Sequence, residues 1–207
     1  MTFELQLERI RSMLESSECD IEILPPDEEK SRKLIAQGGE DFSPLAAVLA
    51  GTGGISVNSI LRIYGCGAFD FFDRNEKLSE LGFTAVAEDV FGGVFGLDKS
   101  GTLFYLMPDE LQFEEFGEDY NELIDWACDK EDFDRFYADY KKQCCGVIYD
   151  EIPINKGISL YPPLWEPCDE KRSAAAVPME QLLTVEIGVM KKLSGEAEEA
   201  EETEDEE

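Results

Sequence analysis

The chain has 207 residues, of which 43% are hydrophobic, and a formal net charge of −29 at pH 7. This length is enough for one sizeable core and one main domain. The negative charge disfavours direct binding to DNA, RNA or anionic membranes, because like charges repel. The chain has no histidine, which excludes Ser-His and Cys-His catalysis and removes the commonest metal ligand.

The N-terminal quarter predicts two helices and a short strand. Residues 3–16 place apolar side chains at steps of three and four, which is typical of an amphipathic helix. Residues 21–24 alternate as a strand does, and a second helix then begins at a proline with three acids and ends at Gly38-Gly39. The apolar run at residues 45–50 fits a buried strand or a short capped helix, and we favour the strand.

The middle of the chain predicts an antiparallel sheet. Residues 55–57 and 60–64 alternate as two strands joined by a hairpin turn. A loop with about one helical turn follows at residues 65–82, and residues 83–90 return as a strand. Residues 111–113 alternate as the last hairpin strand.

A hairpin at the centre of this sheet organises the predicted fold. Its strands are residues 94–97 and 102–107, in which apolar residues alternate. Asp98 suits the first turn position, where it accepts a backbone N–H bond, and Gly101 suits a position with positive φ. The glycine pair at 92–93 indicates a bend or a close approach of another backbone.

The C-terminal part predicts helices, an arm and a tail. Residues 120–127 form one helix, and an aromatic stripe at residues 133–140 forms another, which we interpret as core packing. Residues 158–165 are expected to be an extended arm across the body, before a last helix at residues 178–190. A single domain thus covers residues 1–193. Residues 194–207 form a disordered acidic tail, and roughly −20 of charge remains on the chain without its last twelve residues.

Five residues are candidates for a functional surface. The adjacent carboxylates Glu88 and Asp89 could bind a hard metal or act in acid/base catalysis. With 47 acids in the chain such pairs arise by chance, so a solvated surface or a partner contact is favoured. Asp109 and Glu110 are candidates for the same acidic surface. Trp165 lies between prolines and either anchors a partner or fixes the arm to the core, which we favour.

The remaining chemistry-bearing residues indicate structural roles. Arg62 and Arg172 are each expected to pair with a carboxylate. The six cysteines are irregularly spaced without a C-x-x-C motif, so neither a zinc site nor a redox dithiol is indicated. No catalytic residue, cofactor or metal site is predicted. The N-terminus does not resemble a signal peptide and no apolar run has membrane length, so a cytoplasmic location with mostly reduced thiols is expected.

Several short motifs occur in a characteristic order and spacing. They are Ile21-Glu22-Ile23-Leu24-Pro25, Gly53-Gly54-Ile55, Leu61-Arg62-Ile63 with Gly65 and Gly67, Ala87-Glu88-Asp89-Val90-Phe91-Gly92-Gly93, Tyr105 with Pro108-Asp109, Tyr161-Pro162 with Leu164-Trp165, and Val177-Pro178-Met179. Together they resemble domain-of-unknown-function family 2625 over nearly the whole chain except its tail. The central hairpin and the helix after it are also similar to the SUKH superfamily.

This resemblance implies an α+β fold with a central twisted, mostly antiparallel sheet and flanking helices. Many members of the SUKH superfamily are bacterial immunity proteins that bind and neutralise a toxin. The resulting hypothesis is a non-enzymatic domain that binds a protein, such as a basic toxin nuclease, with acidic residues that steer the partner. Two alternatives remain open: an enzyme that uses carboxylates and a divalent metal, and a housekeeping scaffold domain.

Overall fold

The computed structural model describes residues 1–144, 146–168 and 171–204, and side chains as far as residue 193. These residues form nine strands and eight α-helices. The strands are β1 (Ile21–Ile23), β2 (Ile55–Val57), β3 (Leu61–Ile63), β4 (Thr84–Asp89), β5 (Val94–Leu97), β6 (Leu103–Met107), β7 (Gln112–Gly117), β8 (Lys156–Tyr161) and β9 (Ser173–Pro178). The helices are α1 (Phe3–Ser16), α2 (Glu28–Gly38), α3 (Pro44–Gly51), α4 (Phe71–Lys77), α5 (Tyr120–Cys128), α6 (Lys130–Phe136), α7 (Ala138–Gln143) and α8 (Met179–Glu204).

The main sheet is a seven-stranded antiparallel meander. Strands β1 to β7 lie side by side in chain order, and every neighbouring pair is antiparallel. Strands β8 and β9 form a separate antiparallel pair. The fold is therefore α+β, as predicted, with a central antiparallel sheet and flanking helices. Strand β4 occupies the middle of the meander, and strand β7 forms one edge.

Two apolar clusters lie against the main sheet. The larger cluster combines sheet residues with side chains of α1, α3, α5, α6 and α7, and Ile158 and Leu160 of β8 belong to it. The smaller cluster combines sheet residues with the segment after α4 and with Met179, Leu182 and Leu183 of α8. Because both clusters draw on β4, its side chains from Ala85 to Asp89 are buried whichever way they point, and only Thr84 at its start is exposed.

The local turn chemistry of the two predicted hairpins is confirmed. Asp98 Oδ1 accepts hydrogen bonds from the backbone N–H groups of Ser100 and Thr102 at 2.8 and 3.0 Å, and Gly101 has φ +91°. Asn58 and Ser59, between β2 and β3, both have positive φ, and the Ile60 N–H donates to the Val57 carbonyl oxygen at 3.0 Å, as in a turn whose two central residues are left-handed. These turns set the register of their strands because each fixes which residues stand opposite.

The apolar run at residues 45–50 is a helix, so the strand prediction is wrong. Ser43 caps α3 by accepting a hydrogen bond from the Ala46 N–H at 3.2 Å, and Pro44 occupies the first turn. Every side chain of this run is apolar, and most of the run is enclosed by the core: Ala47, Val48 and Ala50 have no exposed surface, whereas Leu45 and Ala46 are half-buried. A helix that is apolar on all sides shows no periodicity, so the capping residues carried the useful signal.

Two further predictions require correction. The arm predicted at residues 158–165 is in part strand β8, which pairs with β9 over its whole length. The aromatic helix predicted at residues 133–140 is divided into α6 and α7 at Tyr137. Its interpretation as core packing is confirmed, since Phe133, Tyr137 and Tyr140 belong to the larger cluster.

The C-terminal helix is longer than predicted. Helix α8 begins at Met179, close to the expected position, and its backbone extends to Glu204. The predicted acidic tail, residues 194–207, lies beyond the last described side chain, and residues 205–207 lie outside the described residues. Its disorder stays a prediction. No described helix combines the length and apolar composition needed to span a membrane, and the cytoplasmic location likewise stays a prediction.

Candidate functional site

The structure buries Glu88 and Asp89 completely, so the prediction of a solvated carboxylate pair is wrong. Both side chains have 0% exposure. They end strand β4, which is covered on both faces, and consecutive residues of a strand point to opposite faces. Each carboxylate therefore lies in a different environment within the protein, and neither contributes to an exposed acidic surface.

Glu88 is held by a tyrosine and an arginine and lies near a second arginine. The Tyr64 hydroxyl donates to Glu88 Oε2 at 2.9 Å, and Arg74 Nη2 donates to Oε1 at 3.1 Å. Arg62 stands directly opposite Glu88 in the β3–β4 register, with Nη1 3.9 Å from Oε1. The predicted pairing of Arg62 with a carboxylate is confirmed. Burial raises the pKa of Glu88, and the positive charges of Arg74 and Arg62 act in the opposite direction.

Asp89 is held by four donors. Its Oδ1 accepts hydrogen bonds from the backbone N–H groups of Phe91 at 2.8 Å and Gly93 at 3.1 Å. Its Oδ2 accepts from the hydroxyls of Tyr105 at 2.7 Å and Tyr137 at 3.3 Å. Burial raises the pKa of Asp89, while these hydrogen bonds act to lower it. Asp89 thus joins the β4–β5 turn to β6 and to the aromatic cluster, which is a structural role.

The glycine pair in this turn makes room for side chains, not for another backbone. Gly92 has φ +104°, and a Cβ atom built there would lie 2.2 Å from Glu186 Oε1. A Cβ atom at Gly93 would lie 2.1 Å from the Tyr105 hydroxyl oxygen. The predicted bend is confirmed, and the close neighbours are the carboxyl of Glu186 and the tyrosine that binds Asp89.

Glu186 is a third buried carboxyl, and sequence reasoning missed it. It lies on α8 with 2% exposure, and its Oε2 atom has no hydrogen-bond partner among the described residues. Burial and the nearby charge of Asp89 raise the pKa of Glu186 well above its ordinary value of 4.5. The sequence did contain a signal, because Glu186 continues the apolar stripe of Leu182, Leu183 and Ile187 at helical spacing.

Glu186 contributes to the wall of an open cleft of about 380 Å³. The cleft lies between the β8–β9 hairpin, the loop after β8 and helix α8, and Trp165 is part of its wall. Trp165 is half-buried, whereas Tyr161 and Val185 at the same cleft are 76% and 50% exposed. Trp165 therefore belongs to a concave apolar surface that is open to solvent.

Arg172 fixes the loop that carries Trp165. Its guanidinium donates hydrogen bonds to the carbonyl oxygens of Pro162, Pro163 and Glu166 and to Gln143 Oε1. These partners are neutral oxygens, and the predicted carboxylate pairing is not what the described contacts show. Carbonyl oxygens in a loop receive no hydrogen bonds from a neighbouring strand. A planar guanidinium, which has several N–H donors, can satisfy several of them at once.

Asp109 and Glu110 lie in the turn between β6 and β7. Asp109 is half-buried and accepts a hydrogen bond from the Tyr140 hydroxyl at 2.7 Å, whereas Glu110 is exposed. Asp109 therefore connects to the same tyrosine cluster as Asp89, which binds Tyr137. The structure does not bring Glu88 and Asp89 to the surface that carries Glu110.

The thiols and carboxylates show no further grouping in the part of the chain that the structure describes. Cys19, Cys66, Cys128 and Cys144 are thiols and not disulfides. Within the described residues, no three Cys, Asp or Glu side chains are arranged to hold a metal ion.

These features define an α+β protein with structural buried acids beside an apolar cleft, and comparison with known proteins gives its family. The chain belongs to the family described as "Protein of unknown function DUF2625", whose model matches residues 3–182. The putative uncharacterized protein YbfG of Escherichia coli (strain K12) is 26% identical over 187 residues, covering 84% of this chain and 86% of the relative. The predicted family is confirmed, and the similarity to the SUKH superfamily stays a prediction.

Proposed function

We propose that the chain is a non-enzymatic domain that binds a basic protein through an acidic edge, and that this partner is a bacterial toxin which the chain neutralises. The acidic edge is defined as the exposed carboxylates along strand β7 and its two ends. They are Glu110, Glu114, Glu115, Glu118 and Asp119. Their concentration at one edge of the sheet is the observation that carries the proposal.

The charge of this region is one-sided. Residues 100–129 contain nine acids and no lysine or arginine. Strand β7 is the last strand of the meander, and among the described residues it pairs with β6 alone. Its other side offers backbone N–H and C=O groups, to which a strand of a partner can add. A basic partner would thus meet both a complementary charge and an open sheet edge.

The non-enzymatic part of the proposal is supported by the roles of the two carboxylates that an enzyme was expected to use. Glu88 is engaged by Tyr64 and Arg74, and Asp89 by four donors, so their oxygens already have partners. A calorimetric titration with Mg²⁺, Mn²⁺ and Ca²⁺ tests this part. We expect only weak surface binding, and stoichiometric binding of one ion would contradict it.

The partner is identified by affinity capture of the tagged chain from its native cells, with washes at low and then high salt and mass spectrometry of the retained proteins. The captured protein is then purified, and its association rate is measured by stopped flow at increasing salt. We expect a basic protein whose association slows with salt, because steering of exposed charges is screened. A rate that is independent of salt would contradict the proposed steering.

A matched pair of variants locates the contact. In the edge variant, Glu110, Glu114, Glu115 and Glu118 are changed to Gln. In the control, Glu4, Glu8, Glu15 and Glu18 of the α1 region, which are also exposed, are changed to Gln. We expect the edge variant to lose roughly tenfold or more in association rate, and the control to lose much less. Equal losses would show that only the total charge matters.

The toxin identity is tested by expression of the captured protein in a bacterial host. We expect growth to stop when it is expressed alone and to recover when this chain is co-expressed, but not when the edge variant is co-expressed. A partner that does not affect growth would refute the immunity role while leaving the protein-binding role intact.

A further inference from the structure

The cleft beside α8 has the size and composition of a small-molecule site. Its volume of about 380 Å³ falls within the range of roughly 300–1,000 Å³ typical of ligand pockets. Its wall includes Phe91, Leu160, Trp165 and Val185, so most of a bound molecule would contact carbon atoms. Such a surface retains a ligand through burial of apolar area, and its few polar groups decide which ligand is accepted.

The polar group that distinguishes this cleft is the carboxyl of Glu186. The side chain is 2% exposed, and its Oε2 has no hydrogen-bond partner among the described residues. A buried polar group without a partner is unfavourable, because it has lost its hydrogen bonds to water and gained none in return. The absence of a side chain at Gly92, whose Cβ atom would lie 2.2 Å from Oε1, leaves space for the carboxyl in this position. Glu186 is therefore accommodated by the fold but not satisfied by it.

The charge around Glu186 determines what would satisfy it. Asp89, in the adjacent turn, adds a second negative charge, and Glu166 lies at the cleft as a third carboxylate. The chain as a whole carries −29. An anionic ligand would therefore be repelled, whereas a cation would compensate the buried carboxylates. Trp165, Tyr161 and Phe91 supply aromatic rings, which also attract cations.

We propose that this cleft binds an apolar amine, whose ammonium group pairs with Glu186 while its hydrocarbon body lies against Leu160, Trp165 and Val185. This site lies outside the acidic edge, and the inference does not rest on the proposed protein partner. It assigns Glu186 as the residue that selects a positively charged head group, and the apolar wall as the surface that holds the body.

The test uses three probes with the same six-carbon body: hexylamine, hexanol and hexanoate. Binding to the full chain is measured by isothermal titration calorimetry at pH 7 and by the fluorescence of Trp165, with Trp126 changed to Phe so that one tryptophan remains. We expect hexylamine to bind roughly tenfold or more tightly than hexanol, because only the amine carries a positive charge that pairs with the ionised form of Glu186, and hexanoate to bind most weakly. Equal binding of amine and alcohol, tighter binding of hexanoate, or no binding of hexylamine at millimolar concentration would overturn the proposal.

Two substitutions on the same helix provide the matched control. Glu186→Gln keeps the shape of the side chain but cannot ionise to pair with an ammonium group, so the preference for hexylamine over hexanol should disappear. Glu180→Gln removes a carboxylate that pairs with Lys77 at 2.7 Å and does not line the cleft, so the preference should remain. An unchanged preference in Glu186→Gln would overturn the proposal. The edge variant should bind hexylamine as tightly as the unaltered chain does. The amine site is therefore tested independently of the proposed protein-binding function.

Discussion

Asp89 and Glu186 are two buried carboxyls close to the same glycine turn, yet they differ in the hydrogen bonds that they receive. Asp89 receives four hydrogen bonds, from two backbone N–H groups and two tyrosine hydroxyls. Glu186 is also almost completely buried, but its Oε2 has no partner among the described residues. The first carboxyl connects parts of the fold, and the second belongs to a residue in the wall of a cleft.

The comparison shows that burial of an acid does not by itself indicate its role. In both residues burial raises the carboxyl pKa, but only Asp89 has donors that act against this effect. A carboxylate whose oxygens all accept hydrogen bonds stabilises the structure, and a substitution that removes it lowers the free energy of unfolding. An unsatisfied one destabilises the structure, so its presence here requires another explanation, which the proposed amine site provides.

The largest effect is expected for Asp89→Ala. Removal of the carboxylate leaves two backbone N–H groups and the hydroxyls of Tyr105 and Tyr137 buried without their acceptor, so the free energy of unfolding should fall by about 3–5 kcal/mol. Urea denaturation followed by circular dichroism measures this. Asp119→Ala, which removes an exposed N-cap of α5, is the control and should cost about 1 kcal/mol. A loss at Asp89 no larger than that of the control would contradict the structural role.

A smaller loss is expected for Gly92→Ala. The new Cβ atom would meet the Glu186 carboxyl, and φ +104° is unfavourable for alanine. Gly101→Ala is the control, since Gly101 has φ +91° with nothing within 4 Å of an added Cβ atom. We expect Gly92→Ala to cost about 1–3 kcal/mol more than the control. This excess should largely vanish in a Glu186→Ala background, and an excess that persists there would place the clash elsewhere.

Glu186→Gln should instead stabilise the protein at neutral pH, by about 1 kcal/mol. Because the folded-state pKa of Glu186 is raised above 4.5, its contribution to stability is fully present below about pH 4.5 and is lost as pH rises through the folded pKa. The advantage of the Gln variant should therefore grow between pH 4.5 and pH 8. Urea denaturation of both proteins across this range checks the sign, and an advantage that shrinks with rising pH would refute the assignment.

The smallest effect on stability is expected at the acidic edge. Glu114 and Glu115 are exposed on β7, so their change to Gln should alter the free energy of unfolding by no more than about 0.5 kcal/mol. The same unfolding measurement provides this value. A larger loss would mean that these carboxylates serve the fold, and it would weaken their use as partner contacts.

Sequence alone predicted the features that depend on neighbouring residues. The turn from Asp98 to Gly101 follows from the side chain of one residue and the backbone freedom of another, and both occur within four positions. The α3 helix was missed because an apolar run has no visible period, although Ser43-Pro44 was a local signal. Predictions for the meander strands succeeded because alternation and turn residues agree over short distances.

The candidate site depends on distant residues, which explains why it was missed. Burial of Glu88 and Asp89 follows from the central position of β4 and from helices far away in the chain. The tyrosine that binds Glu88, Tyr64, is 24 positions away. Those that bind Asp89, Tyr105 and Tyr137, are 16 and 48 positions away. Glu186 could have been noticed as an acid on an apolar helix stripe, but its cleft is formed by β8, β9 and the loop between them. No local pattern contains that information.

The most direct test of the contrast between satisfied and unsatisfied buried carboxyls is a ¹³C NMR titration of the Glu186 side-chain carboxyl, with and without hexylamine. We predict that without the amine Glu186 stays protonated well above pH 4.5, and that saturating hexylamine moves its titration to lower pH. A Glu186 carboxyl that titrates near 4.5, or whose titration is unchanged by the amine, would contradict the account.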